Sequence, residues 1–321
     1  LTNGSKRELL LRFWYPASLT QSCQPAEYTA PSVWKHFSEL VGIALPEVTT
    51  NSCWNAPAEP GRHPVVIFSP GYTATFTDYT FLFEDLASRG YVVASVDHTF
   101  EATAVEFPDG RFVKSVLGSH LGGTFRGDDQ AISLAVSVRL QDLHFVVGEM
   151  QRLNDRAQSP LMGVLDLTRI AVAGHSMGGS IAVFAAGRDP RLKTAISLDG
   201  VIFSDRQKAL SAPVFLLTSG REKWSADDCG IWKNLRAPKS RVDIPGAEHV
   251  TTSDAVWLAK GAVQTGGMDS DQIVAAIRDH VAAFLDANLR GEPSNSDSTR
   301  PSWASPNAID TTQNDPFCHA P

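Results

Sequence analysis

The chain has 321 residues, 43% of them hydrophobic and 20% charged, which is ample for a large buried core. A formal net charge of -7 offers no basic face to hold a phosphate backbone, so nucleic acid is excluded as the expected partner. No stretch reaches the roughly 20 apolar residues of a membrane span, and the opening Leu1-Thr2-Asn3, with no signal peptide before it, reads as a processed start. In chain order, Glu8 to Tyr15 reads as a strand ended by Pro16. Residues 17–62 are rich in Pro, Thr, Ser and Asn around one helical patch, Ser32 to Val41, and read as a surface excursion near a site rim. Pro64 to Ser69 is an apolar strand stopped by Pro70-Gly71. Tyr79 to Ser88 is a helix, and Tyr91 to Val96 is the next buried strand. Continuous apolar strands separated by helices require a parallel sheet covered on both faces.

Residues 99–128 read as irregular. Asp129 to Leu153 is a long helix, with Ile132, Val136, Leu140, Leu143, Val147 and Met150 on one face. Arg169 to Ala173 reads as a buried strand and Gly179 to Ala186 as a small-residue helix. Further strands are expected at Thr194 to Leu198, Val214 to Thr218 and Arg241 to Ile244. A last helix begins at Asp269, where Gln272 completes a capping box, and buries Ile273, Ile277, Val281 and Phe284. The expected fold class is α/β, with a mostly parallel, doubly wound sheet. Residues 1–290 form one such domain, and residues 291–321 an irregular polar tail.

Gly174-His175-Ser176-Met177-Gly178 is a G-x-S-x-G between strand and helix, the pattern of a nucleophile elbow, which makes the α/β-hydrolase fold the expected one. Glycines let that corner tighten, leaving Ser176 with its Oγ exposed above the sheet. A serine hydroxyl needs an imidazole to take its proton, and the imidazole needs a carboxylate to fix its tautomer. His249, His280 and His319 follow Ser176. His280 lies inside the last helix and His319 in the tail, whereas His249 lies in the loop after the last strand and can reach the elbow. For the acid, Asp199 ends a strand before Gly200, and Asp227 lies in the loop after the next strand. Both remain open on the residues alone. Backbone amides of Met177 and of Tyr72, after the turn at Gly71, are the expected oxyanion donors. No metal or organic cofactor is expected: Gly118, Gly122, Gly123 and Gly127 form no dinucleotide fingerprint, and no G-K-[ST] loop occurs.

Cys23, Cys53, Cys229 and Cys318 permit three pairings. Cys23 with Cys53 would close the N-terminal excursion, and Cys229 with Cys318 would pin the tail. With the glycosylation sequon at Asn3-Gly4-Ser5, this makes secretion the expected context.

Ser69-Pro70-Gly71-Tyr72, Leu86 to His98, Gly174 to Gly179, Ser197 to Gly200, Gly246 to His249 and Ser253-Asp254 together resemble the platelet-activating factor acetylhydrolase family, in its secreted and fungal branches. The chain departs from the mammalian branch at Pro70, where that branch has His. The resemblance implies a Ser-Asp-His triad with Asp199 as its acid. It also implies calcium-independent hydrolysis of short sn-2 acyl esters of glycerophospholipids, and transient contact with a lipid surface. The Ser-Pro-Gly-Tyr and Gly-His-Ser-Met-Gly-Gly segments also resemble bacterial cutinases and polyester hydrolases. In those enzymes the tyrosine and methionine supply the oxyanion amides, and the usual place of the acid points to Asp227. Either resemblance implies a small-molecule or lipid ester as substrate. A binding protein on the same fold would require the loss of a triad member.

Overall fold

The computed structural model describes residues 6–18, 23–116, 129–200, 210–219, 229, 232–244, 247–259 and 269–292. Alternate side chains of a strand point to opposite faces, so an apolar run needs cover on both. The elements that meet this demand are, in order, β1 (Leu10–Trp14), β2 (Pro25–Glu27), α1 (Pro31–Val41), β3 (Thr49–Cys53), β4 (His63–Ser69), α2 (Thr80–Ser88) and β5 (Val92–Asp97). They continue with β6 (Ala104–Glu106), β7 (Phe112–Lys114), α3 (Asp129–Asp155), β8 (Leu165–His175), α4 (Met177–Ala186), β9 (Leu192–Leu198) and β10 (Val214–Ser219). The last are β11 (Lys239–Ile244), α5 (Ala255–Leu258) and α6 (Ser270–Leu285).

Seven strands form one sheet in the order β1-β5-β4-β8-β9-β10-β11. Edge strand β1 is antiparallel to β5, and the other neighbours are parallel. Val65 and Ile67 of β4 pack with Leu143, Val147 and Met150 of α3 and Ile181 of α4. Val66 and Phe68 face the other way, onto Phe83 and Leu86 of α2 and Ile273, Ile277 and Val281 of α6. Each such side chain contributes about 1.5–3 kcal/mol when fully buried, so the sheet fixes the places from which its C-terminal loops depart. The chain runs from β4 to β5 on one side and returns to β8 on the other. That reversal opens a crevice at the strand ends, the usual place for a site in such sheets.

The excursion is stapled. β2 pairs antiparallel with β3, a Cys23–Cys53 disulfide joins their ends, and Glu84 of α2 accepts hydrogen bonds from Asn51 and Ser52. The structure corrects three expectations. Residues 99–116 are not irregular but carry the β6–β7 hairpin, whose three-residue strands are too short to show a period. Asp269 caps α6 by accepting from the amides of Asp271 and Gln272, without the reciprocal bond of a capping box. Phe284 is only half-buried and stacks on Phe215. Among the described residues, no helix is long and apolar enough to cross a membrane.

Candidate active site

Ser176 stands between the end of β8 and the first residue of α4 with φ 54° and ψ -124°. This left-handed conformation is costly for a residue with a Cβ, about 1–3 kcal/mol, and such strain concentrates at functional positions. Glycines make the corner possible. A Cβ on Gly178 would lie 1.9 Å from the Ser69 carbonyl oxygen, and one on Gly174 would lie 2.3 Å from the Gly178 carbonyl carbon.

His249 opens a short 3₁₀ turn, His249–Thr252, in the loop after β11. Its Nε2 lies 2.8 Å from Ser176 Oγ and its Nδ1 lies 2.6 Å from Asp199 Oδ2. Asp199, at the end of β9, also has positive φ (47°) and is 2% exposed at its side chain. Its carboxylate accepts from the amide of Ser219 at 3.0 Å and from the Ser219 hydroxyl at 2.5 Å. With Asp199 accepting the Nδ1 proton, Nε2 is left to accept the Ser176 proton, which is the arrangement nucleophilic catalysis requires. Asp227 lies outside the described residues.

His175, beside the nucleophile, is buried. Burial and the neighbouring His249 push its pKa down to about 3, so it stays neutral. Its Nε2 faces the His249 carbonyl at 3.0 Å and must carry the proton, leaving Nδ1 to accept from Tyr79 Oη at 2.8 Å. Tyr79 Oη in turn accepts from the Gly71 amide at 3.1 Å. One hydrogen-bonded line therefore joins the loop after β4, the elbow and the His249 turn.

Met177 heads α4, where the first amides have no partner inside the helix. Tyr72 follows Gly71, whose hypothetical Cβ would lie 3.5 Å from Ser176 Cβ, so this loop lies against the nucleophile. Beneath it is a second Ser-His-Asp line that the sequence reading missed: Ser69 Oγ to His98 Nε2 at 2.9 Å, and His98 Nδ1 to Asp142 Oδ2 at 2.8 Å. All three residues are buried; burial lowers the His98 pKa and keeps its imidazole neutral, while Arg7 pairs with the Asp142 carboxylate, so this line is an internal brace. No local signal marked it, because its members are far apart in sequence. His280 packs beside Phe215, away from Ser176. Cys229 is disulfide-bonded, whereas Cys318, Asn3 and His319 lie outside the described residues. Among the described residues there is no cluster of three or more His, Cys, Asp or Glu that could hold a metal.

A ferulic acid esterase from Streptomyces cinnamoneus has a similar structure, with a TM-score of 0.76 and 34% sequence identity over 94% of this chain and 88% of that one. The chain belongs to the α/β-hydrolase-fold esterases. Within that group its homology is split. The family model for platelet-activating factor acetylhydrolase, isoform II, matches residues 3–110, and a PET hydrolase-like model matches residues 129–261. The platelet-activating factor acetylhydrolase of Bos taurus is 25% identical over 78% of this chain and 63% of its own length. Cutinase est2 of Thermobifida alba is 27% identical over 60% of this chain and 55% of its own. The chain thus spans less than two thirds of the length of these curated relatives.

Proposed function

We propose that this protein is a serine carboxylic-ester hydrolase acting on neutral esters of the cutinase or feruloyl-ester type. The observation that carries the reading is the hydrogen-bonded line from Ser176 Oγ through His249 to Asp199, with the serine held in strained backbone at the elbow. His249 takes the Ser176 proton as Oγ attacks the ester carbonyl, and the amides of Tyr72 and Met177 hold the oxyanion. His249 then protonates the leaving alcohol and activates the water that frees the acyl group. Asp199 keeps the imidazole in the required tautomer and stabilises its charged form.

The likeness to a ferulic acid esterase over nearly all of the chain supports a neutral ester, as does the PET hydrolase-like match across the elbow and His249. Arg111, in the long segment after β5, is engaged by Glu8 and Asp109, which leaves it poorly placed to recognise a phosphate. A second reading, hydrolysis of short sn-2 acyl phospholipids, is favoured by the acetylhydrolase match over residues 3–110. The disulfides support work in an oxidising compartment, and secretion is part of the proposal.

Ser176→Ala and His249→Ala should each lower kcat on p-nitrophenyl butyrate by several orders of magnitude, leaving at most the ~10³–10⁴-fold contribution of binding and the oxyanion hole. A fluorophosphonate should label the wild-type protein and not Ser176→Ala. Near-native turnover by Ser176→Ala would overturn the reading. Comparing kcat/KM on methyl ferulate, a polyester film and an sn-2 acetyl glycerophosphocholine separates the two substrate classes. Preference for the phospholipid would select the second.

A further inference from the structure

Arg139 of α3 is among the largest fully buried side chains and lies directly under the loop between β4 and Tyr72. Its five N–H groups are all engaged. Nε donates to both oxygens of Glu101 at 3.0 Å, and Nη2 also bonds Glu101 Oε1. Nη1 donates to the Pro70 carbonyl at 2.6 Å and to Ser69 Oγ at 3.2 Å, and Nη2 donates to the Gly71 carbonyl at 2.9 Å. Ser69, accepting from Arg139, donates its own proton to His98 Nε2, and Asp142 fixes that imidazole.

The direction of these bonds has a stereochemical result. A trans peptide points its C=O and its N–H in opposite directions, and no cis peptide occurs among the described residues. Holding the Pro70 carbonyl toward Arg139 turns the Gly71 amide the other way, where Tyr79 Oη receives it. Holding the Gly71 carbonyl toward Arg139 turns the Tyr72 amide away from Arg139, in a loop whose Gly71 lies against Ser176. Thr73, at φ 62°, completes the turn, and its carbonyl is held by the amide and hydroxyl of Thr103.

We propose that Arg139, clamped by Glu101, is a positioning residue that sets the oxyanion hole by fixing the rotation of the Gly71–Tyr72 peptide. The inference rests on the assignment of the Tyr72 amide as an oxyanion donor. Only a guanidinium has the fork to hold two successive carbonyls and a carboxylate at once; a lysine keeps the charge and loses the second carbonyl. Glu101 neutralises the buried charge and fixes the plane of the fork.

The test uses Arg139→Lys and the double variant Arg139→Met/Glu101→Leu, which removes both charges and leaves neither unpaired in the interior. The wild type must first be labelled at Ser176 by a fluorophosphonate. Its failure to label would overturn the esterase reading and this inference with it. The measurements are the acylation rate and KM with p-nitrophenyl butyrate, and the affinity for a trifluoromethyl ketone whose adduct places an oxyanion in the hole. Loss of one oxyanion donor costs about 10²–10³-fold in rate. The double variant should lose about that factor in acylation and in ketone affinity, with KM changed less than about threefold. Arg139→Lys should lose a smaller factor, about tenfold or more, in both. A folded variant with wild-type acylation and ketone affinity overturns the inference alone. If the double variant does not fold, Arg139→Lys decides, since it retains the pairing with Glu101.

Discussion

Two of the three residues in the proposed triad sit in backbone that side chains disfavour, Ser176 at φ 54° and Asp199 at φ 47°. Each costs the fold about 1–3 kcal/mol, and each turns a side chain at a strand end toward His249. Asp199 is further held by the amide and hydroxyl of Ser219 at the end of β10, so the carboxylate has one orientation before any substrate arrives. Asp199→Asn should lower kcat by ~10³–10⁴-fold with the fold kept, because the amide no longer enforces the required imidazole tautomer. Asp227→Asn should leave turnover close to wild type. Steady-state kinetics with circular dichroism on the two variants checks this, and the opposite order would pass the acid role to Asp227.

Among the elements, the turn that carries His249 is anchored from behind by Asp254. This buried carboxylate accepts from Tyr28 Oη in the excursion and from the amides of Thr80 and Phe81 at the start of α2. Burial, reinforced by nearby Asp78, pushes the Asp254 pKa up from 3.8 to about 7 despite those bonds, and burial raises that of Asp78 to about 6. The folded chain therefore keeps protons that the unfolded chain releases near pH 3.8. The stability these groups contribute is complete below that pH and is lost as pH rises through their folded values, up to about 7. The wild-type Tm should fall between about pH 4 and 7, and Asp254→Asn should flatten that fall; an unchanged slope would refute the assignment. Neither this anchor nor the Arg139 fork could be read from the sequence, since each depends on partners tens to hundreds of positions away. The elbow could be read, because Gly174 and Gly178 are a local steric demand beside an apolar strand. Strand β8 extends well beyond the expected Arg169 to Ala173, because polar Asp166, Thr168 and Arg169 hide its first half, where a register shift interrupts the pairing with β4. The β6–β7 hairpin leaves no sequence signal, because its strands are three residues each.

At the scale of the whole molecule, the long-range staples divide the work. Cys23–Cys53 closes the excursion, and Cys229 is engaged in a disulfide whose expected partner is Cys318. Non-reducing peptide mapping should recover one fragment containing Cys229 and Cys318, and free thiols at both would remove the proposed clamp on residues 291–321. One tight fit at the site involves no side chain at all: the space a Gly178 Cβ would need is already filled by the Ser69 carbonyl. The α4 terminus that presents the Met177 amide is thus seated on the end of the strand that leads to Tyr72. The gap between the two proposed oxyanion donors is set like a gauge block, by main chain resting on main chain. Loops around such a gauge can be exchanged without recalibrating it. One chain can therefore align with an acetylhydrolase model over residues 3–110 and a PET hydrolase-like model over residues 129–261 while presenting a single reaction geometry. It follows that retooling this protein for a new ester should succeed through the rim, and that any side chain introduced at Gly178 should abolish every ester activity together.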